Sequence, residues 1–319
     1  MSNRAEERIS KTTTGQVIKN AGNTYWVRNE QGDILVCNAK GNLRLKEIRS
    51  TSPIVVGDTV TVQIQPDGAA LITNIGERRN YIVRKASNLS KQSHILAANI
   101  DCALLCITVR YPETTTVFID RFLVTAEAYS VSAVLLFNKI DIYDAEDREY
   151  LEALVRLYSS IGYRCVKTSV VTGEGLDAVQ EAVSGKVVLL AGHSGVGKSS
   201  ILNSLLGKSL QKVGEISQYH KMGVHTTTFT EMIELPNGGY MIDTPGIKGF
   251  GTIDMTIAEV SHYFPEIFNI SHRCKYYNCL HLNEPECAVL KAVEEHYISE
   301  SRYRSYLNIL TDMDAGKYR

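Results

Sequence analysis

The chain has 319 residues, of which 44% are hydrophobic and 22% charged, and its formal net charge is −1. This length suits two or three domains, and the composition excludes collagen-like, disordered and channel-forming proteins. The longest apolar runs, such as Val187–Ala191, are far shorter than the ~20 residues of a membrane span, and the N-terminus lacks the apolar core of a signal peptide. Seven cysteines, three of them close together near the C-terminus, fit a reducing cytosol and one metal site better than a disulfide framework.

The first part of the chain, from about residue 15 to 83, is predicted to form short strands separated by turns that carry Gly and Asn. The predicted strands are 15–19, 23–28, 33–37, 59–64 and 70–75. About five such strands are typical of a small β-barrel, and an OB-fold is the commonest barrel of this size. The first 90 residues hold thirteen Lys and Arg against eight Asp and Glu, which fits RNA binding. The alternative is an OB or SH3-like barrel that only docks on its neighbour.

From about Asn99 onward, apolar strands alternate with amphipathic helices, a pattern that indicates a buried parallel sheet. Strands are predicted at 102–109, 131–137, 187–191 and 240–243, and helices at 118–129, 147–161 and 200–206. After about Phe250 the chain becomes helical and contains cysteines, and it ends in a polar helix near 300–311. We therefore expect a multidomain α/β protein with an OB-fold barrel at 1–85, an α/β domain at 86–255 and a helical domain at 256–319.

A phosphate-binding motif, GxxxxGK[ST], lies between a predicted strand and a predicted helix, which is the context that it needs. Its glycines let backbone N–H groups surround the phosphates, and the helix N-terminus adds partial positive charge. Lys198 is predicted to bridge the β- and γ-phosphates, and Ser199 to ligate Mg²⁺. The nucleotide-binding residues predicted in this loop are Gly192, His193, Ser194, Gly195, Val196, Gly197, Lys198, Ser199 and Ser200.

An NKID sequence follows the predicted strand 131–137 and indicates that the base is guanine. The Asp141 carboxylate can accept hydrogen bonds from the N1–H and exocyclic amine of guanine, whereas adenine offers neither donor there. Asn138 would tie this loop to the phosphate loop and the base, and the stem of Lys139 would cover the ring. A short loop after the next strand resembles the one whose backbone amide reads guanine O6, and its candidates are Ser169 and Val170.

A DTPG sequence follows the predicted strand 240–243. Asp243 would join the Mg²⁺ shell, and the Gly246 amide would contact the γ-phosphate. The three threonines 226–228 lie where a GTPase places the switch threonine that closes over Mg²⁺. Thr227 is favoured as the Mg²⁺ ligand, although the run leaves its two neighbours open.

The order of these motifs is the reverse of the ordinary one, because NKID precedes the phosphate loop instead of following it. The same sheet forms if the original termini are joined and the chain is opened elsewhere, so the sequence predicts a circularly permuted GTPase. Ile247 stands where most small GTPases have a water-orienting glutamine. His225 is either its replacement or a solvent-facing loop histidine. The predicted catalytic residues are His225, Lys198 and Thr227.

A C-x₄-C-x-H-x₅-C pattern near the C-terminus contains Cys274, Cys279, His281 and Cys287. Three thiolates and one imidazole complete a tetrahedral Zn²⁺ shell with no open position, which indicates a structural site. Unconnected cysteines are the alternative. The remaining cysteines lie in or beside apolar strands, where buried free thiols are usual, and they are Cys37, Cys102, Cys106 and Cys165.

Together these segments resemble the RsgA family, also called YjeQ or YloQ, of GTPases that depend on the small ribosomal subunit. The resemblance rests on NKID, GHSGVGKSS, HTTT, DTPG and the Cys₃His set in this permuted order, and it covers nearly the whole chain. Family members often have an arginine before the HTTT histidine, where this chain has Val224.

The resemblance implies a cytoplasmic enzyme that hydrolyses GTP to GDP and phosphate with Mg²⁺. It also implies that the enzyme binds the 30S ribosomal subunit late in maturation, is stimulated by it and then leaves. The barrel and the zinc domain would contact 16S rRNA. We expect a monomer without a membrane partner.

Two other classes compete with this interpretation. A nucleic-acid-binding module with a purely structural nucleotide site is disfavoured, because Lys198, Ser199 and Asp243 are all retained. A signalling GTPase with a protein or membrane partner is disfavoured, because the sequence has no lipidation signal and no basic amphipathic helix.

Overall fold

The computed structural model describes residues 11–40, 43, 54–85, 93–207, 231–243 and 255–314. These residues divide into two compact units. The first contains the described residues up to Ile100 with 231–233 and 242–243, and the second contains the remainder. Within the described ranges, no helix combines the length and the apolar character needed to cross a membrane.

Five strands of the first unit close into a barrel. They are β1 (Lys11–Ala21), β2 (Thr24–Asn29), β3 (Ile34–Ala39), β4 (Thr59–Ile64) and β5 (Ala70–Ile75). The pairing runs from β1 through β2, β3, β5 and β4 back to β1, and every pair is antiparallel except β3 with β5. This ring of five strands confirms the predicted OB-fold barrel.

Strand β1 is longer than the predicted 15–19 because it pairs on both edges, with β2 and with β4. Gly15 lies where the two pairings overlap, opposite both Asn29 and Val60. A Cβ atom at Gly15 would lie 2.4 Å from the Arg28 carbonyl oxygen, so only glycine fits there. Inward side chains fill the barrel with a fully buried apolar core, which includes Val17, Val27, Cys37, Val62 and Ile72.

A buried ion pair closes one side of the first unit. The Asp58 side chain is completely buried, and its two oxygens accept from Arg78 Nε at 2.6 Å and Nη2 at 2.7 Å. Asp58 Oδ2 also accepts from the Val55 N–H at 2.8 Å. The carboxylate therefore holds both the chain before β4 and the chain after β5.

A two-stranded antiparallel sheet, β6 (Tyr81–Lys85) with β7 (Ser93–Ala98), completes the first unit. The sequence pattern does not predict it, because the strands are short and no two-residue Asn-Gly or Asp-Gly turn joins them. A bridge from Val56 to Ala97 attaches this sheet to the chain that precedes β4. Gly57 has φ +91°, and a Cβ atom there would lie 2.0 Å from the Ala98 carbonyl oxygen.

The second unit contains a parallel sheet with alternating helices. In chain order its elements are β8 (Cys102–Ile107), α1 (Thr116–Ala128), β9 (Ser132–Phe137), a 3₁₀ turn (Ile140–Ile142), α2 (Ala145–Ile161), β10 (Arg164–Lys167), α3 (Leu176–Val183), β11 (Val187–Ala191) and α4 (Lys198–Leu206). The strand order is β10, β9, β8, β11, and all three pairings are parallel. Residues 234–241 of the strands β12 (Glu231–Glu234) and β13 (Tyr240–Asp243) also belong to this unit, and the Tyr240 N–H donates to the Lys186 carbonyl just before β11.

Every residue of β8 and of β11 is buried, as expected for central strands covered on both faces. Because parallel strands end at one edge of the sheet, the segments that follow β9 and β11 emerge on the same side. That edge carries the NKID sequence and the phosphate loop.

The C-terminal part of the second unit is helical. It comprises a 3₁₀ segment (Ile257–Tyr263) and the helices α5 (Pro265–Ser271), α6 (Ala288–Glu294) and α7 (Glu300–Asp314). Its buried cluster includes Phe264, Ile267, Tyr306 and Ile309, and Val124 from α1 belongs to the same cluster. The helical part therefore packs directly on the α/β part.

We predict that Asp58→Asn destabilises the first unit, because the neutral amide cannot accept from both Arg78 nitrogens and leaves a buried cation. The expected loss is about 3 kcal/mol in the free energy of unfolding. Trp26 is the only tryptophan of the chain, so its fluorescence during urea unfolding reports on the barrel. Asp67→Asn, at an exposed turn aspartate, is the matched control. Equal stability of the two variants would contradict the assigned role of the ion pair.

Candidate nucleotide site and metal centre

The phosphate loop connects the end of β11 to the start of α4, and its three glycines, at 192, 195 and 197, all have positive φ angles. Gly192 has φ +136°, and a Cβ atom there would lie 2.5 Å from the Cys106 carbonyl oxygen. Gly197 has φ +99°, and a Cβ atom there would lie 2.3 Å from Asn138 Nδ2. Both positions therefore require glycine, which lets the loop fold tightly against β8 and the NKID segment.

Lys198 points into the phosphate loop. Its Nζ donates to the carbonyl oxygens of Gly192 at 2.8 Å and His193 at 2.6 Å. This ammonium group is therefore held where a phosphate chain would be cradled. Ser199 and Ser200 are exposed in the first turn of α4, so the Ser199 hydroxyl is accessible to a cation.

The NKID segment is bonded to the phosphate loop by two side chains. The buried Asn138 donates through Nδ2 to the Val196 carbonyl at 2.9 Å. Lys139 has φ +64°, and its Nζ donates to the carbonyl oxygens of Gly195 and Tyr111, both at 2.7 Å. The structure thus brings together the predicted guanine-reading and phosphate-reading residues.

The orientation of Asp141 is set by a serine from the neighbouring loop. Ser169 is fully buried, and its Oγ donates to Asp141 Oδ1 at 2.5 Å. The same Oγ accepts from the N–H groups of Val171 and Thr172, each at 3.2 Å. These bonds fix the direction of the Ser169 hydroxyl and hold it against the Asp141 carboxylate, while the adjacent Val170 is half-buried.

Tyr143 is a site residue that sequence reasoning missed. Its buried hydroxyl accepts from the Val109 N–H at 2.8 Å and donates to the Asn138 carbonyl at 2.7 Å. Burial raises the pKa of this phenol to about 12, so it stays a donor. It fastens the NKID segment to the end of β8. No sequence signal could have found it, because its partners are backbone groups.

Helix α1 approaches the phosphate loop at its N-terminal end. The rings of Phe118 and His193 lie 3.8 Å apart between centroids. Burial and the charge of Lys198 lower the pKa of His193, which favours the neutral imidazole in this contact.

Several predicted residues lie outside the described part of the chain. They are His225, Thr227 and Gly246, together with Val224 and Ile247. Asp243 ends β13, and only its backbone is described.

The four predicted metal ligands form one cluster. The His281 Nδ1 atom lies 3.7 Å from Cys274 Sγ and 3.5 Å from Cys287 Sγ, and these two sulfurs are 3.9 Å apart. With Cys279, all four ligand atoms lie within 4.8 Å of one another. A tetrahedral Zn²⁺ site places thiolate and imidazole ligand atoms roughly 3.6–3.8 Å apart. The donor set and the spacing therefore fit a closed four-coordinate metal ion.

The protonation of the cluster thiols depends on their local surroundings. Cys287 is the N-cap of α6, where its Sγ accepts from the Leu290 N–H at 3.5 Å and the helix N-terminus favours a thiolate. Burial raises the pKa of the Cys279 and Cys287 thiols, so a bound metal ion must supply the charge that displaces their protons. The other cysteines stand apart from the cluster, with Cys37, Cys102 and Cys106 buried and Cys165 half-buried.

Comparisons with known proteins agree with this geometry. The RsgA GTPase family model matches residues 75–253, and the RsgA N-terminal domain model matches residues 14–72. The small ribosomal subunit biogenesis GTPase RsgA of Bacteroides fragilis is 58% identical over 305 residues, which cover 96% of this chain and 98% of the relative. The protein of the same name from Porphyromonas gingivalis is 57% identical over 310 residues, with the same coverage of both chains.

Two solved structures share the fold. YjeQ from Thermotoga maritima superposes with a TM-score of 0.77 at 34% identity, covering 95% of this chain and 98% of that one. YloQ, described as a circularly permuted GTPase, superposes with a TM-score of 0.75 at 27% identity over the full length of both chains. The permuted order predicted from the motifs is confirmed. The chain belongs to the RsgA GTPase family and is a GTP-hydrolysing enzyme.

Proposed function

We propose that the chain binds the 30S ribosomal subunit late in its maturation, hydrolyses GTP with Mg²⁺ under stimulation by that subunit, and is released by hydrolysis. The observation that carries the nucleotide part is the pair of bonds from Asn138 to Val196 and from Lys139 to Gly195. These bonds support a single site in which the NKID segment binds the base and the phosphate loop binds the phosphates. The names of the relatives support the ribosomal part.

Within this site we assign each group a role. Lys198 would exchange its bonds to loop carbonyls for bonds to the β- and γ-phosphates, and it would offset the charge that develops during transfer. Ser199, Asp243 and Thr227 would hold Mg²⁺, which when bound neutralises phosphate oxygens. His225 would orient the attacking water, because Ile247 has no polar group for that task.

The barrel offers a face suited to 16S rRNA. Lys19, Trp26 and Val36 are opposite one another on β1, β2 and β3, and Lys19 Nζ lies 5.6 Å from the centre of the Trp26 ring. Arg28 is paired with Ile34 in the same strands. Ile34 and Val36 are 51% and 58% exposed. A sheet face with an aromatic ring, exposed apolar side chains and cations suits the stacking of unpaired bases and contact with phosphates.

The remaining parts of the proposal concern the metal, the domains and the assembly. We assign Zn²⁺ to the Cys₃His cluster, because a closed set of three thiolates and one imidazole is typical of structural zinc. The functional parts are the barrel at 1–85, the GTPase domain at 86–255 and the metal-binding domain at 256–319. The protein acts as a monomer in the cytoplasm.

The central experiment measures GTP hydrolysis by the full chain alone, with 30S subunits and with 50S subunits. We expect strong stimulation by 30S only, and Trp26→Ala should raise the 30S concentration that gives half of the maximal stimulation. Equal rates in all three conditions would contradict the 30S partner while leaving the GTPase assignment intact. Stimulation by 30S with an unchanged half-maximal concentration in Trp26→Ala would contradict only the proposed barrel face.

Guanine selection is tested by Asp141→Asn. The variant loses a charged acceptor for two guanine donors, so we expect GTP affinity to fall about 100-fold and the preference for GTP over ATP to shrink. Competition binding with the two nucleotides measures both effects. Asp177→Asn makes the same chemical change at an exposed residue of α3 and should leave affinity and preference unchanged. An unaltered preference in Asp141→Asn would disprove the assigned base contact.

The metal assignment is tested by elemental analysis of the purified protein. We expect about one zinc per chain, and Cys279→Ser should lose it and lower the melting temperature of the C-terminal helices. Cys165→Ser replaces a half-buried thiol outside the cluster and should retain the metal. A wild-type protein that contains no metal, or one that contains only iron, would overturn the zinc assignment.

A further inference from the structure

A buried arginine joins the C-terminal helices to the α/β part of the second unit. Arg302 of α7 is completely buried, and its Nη1 donates to Asp120 Oδ1 of α1 at 2.7 Å. Its Nε and Nη2 donate to the two Glu266 oxygens at 2.6 and 3.1 Å. Tyr158 of α2 donates to the same Asp120 oxygen at 2.8 Å. One guanidinium thus holds carboxylates from two parts of the fold.

The neighbouring residue on α1 repeats the connection. Arg121 donates through Nη2 to Asn308 Oδ1 at 2.5 Å and also bonds to Asp312, both on α7. Two consecutive residues of α1 are therefore attached to one helix. Buried ion pairs seldom stabilise a fold more than well-packed apolar side chains would, so stability alone is a weak reason for this arrangement. It does fix the position of α1 along α7.

Each of these two helices also touches one of the candidate sites. At the start of α1, two residues before Asp120, the Phe118 ring packs on the His193 ring of the phosphate loop. On α7, the hydroxyls of Tyr303 and Tyr306 donate to the carbonyl oxygens of His281 and Leu280 in the metal cluster, each at 2.6 Å. A continuous series of contacts therefore runs from the metal cluster to the phosphate loop.

We propose that Arg302 is a positioning residue for GTP hydrolysis. Arg302 holds α1 through Asp120 and thereby fixes the position of the Phe118 ring against His193. The position of His193 in turn affects the conformation of the phosphate loop. The C-terminal helices therefore influence the affinity for the nucleotide phosphates. This proposal depends on the GTPase activity and not on the ribosomal partner, so it stands or falls separately from the 30S experiment.

The test is a double-mutant cycle on the KM and kcat for GTP, using the full chain. Arg302→Met and Phe118→Ala should each raise KM about 5- to 10-fold with a smaller change in kcat. The double variant should show the same KM as Phe118→Ala alone, because the series of contacts is already interrupted. Arg304→Met, which breaks an exposed pair with Glu300 on the same helix, is the matched control and should keep the wild-type KM.

A second variant separates positioning from general stability. Asp120→Asn keeps an acceptor for Arg302 and Tyr158 but removes the charge, so it should raise KM while metal content stays at the wild-type level. Melting temperature and metal content are measured for every variant. Additive effects of Arg302→Met and Phe118→Ala would overturn the proposal. So would a lower melting temperature with unchanged KM in Asp120→Asn.

Discussion

The hydrogen bond from the buried Asn138 side chain to the Val196 carbonyl is the constraint on which the nucleotide site depends. Asn138 follows β9 and Val196 follows β11, and β8 lies between these strands. A buried amide left without its partner costs about 1–3 kcal/mol, so the two loops must take matching positions. Gly197 makes room for this amide, since any Cβ atom would collide with it. The geometry requires only that both strands end at the same edge. This geometry does not depend on which strand comes first in the chain. A permuted sequence can therefore form an ordinary guanine site.

The sequence predicts the phosphate loop well, because that loop depends on local backbone conformation. The glycines of the phosphate loop, the strand before it and the helix after it all lie within a few residues, so their pattern specifies a local conformation. The proximity of that loop to the NKID segment follows from one further rule, which is that parallel strands end at the same edge of a sheet. Tyr143 escapes such reasoning, because its hydroxyl contacts Val109 and Asn138 through backbone groups that carry no sequence signature. The hairpin of β6 and β7 escapes it for a different reason, since neither strand alternates clearly and no turn motif joins them.

The metal ligands, too, are predictable from the sequence only in part. Their spacing identifies the four ligands, but it does not predict the backbone conformation that directs the four side chains toward one point. His281 has φ +58°, an uncommon conformation for a residue with a side chain, and its carbonyl is held by Tyr303. The flanking helices α5 and α6 have only seven residues each. A metal ion that binds only the folded arrangement adds its binding free energy to the stability of this region.

Apolar and charged contacts contribute differently to the interface between α1 and the C-terminal helices. Val124 packs into the buried cluster with Phe264 and Ile267, and such contacts stabilise the interface while tolerating small shifts. The Arg302–Asp120 pair tolerates much less, because a displacement that breaks it leaves the buried Asp120 carboxylate without its counter-charge. The charged pair therefore restricts the position of α1 more sharply than the apolar cluster does. A helix that must hold His193 of the phosphate loop at one end has a use for that restriction, whereas a purely structural helix would be served as well by hydrophobic residues.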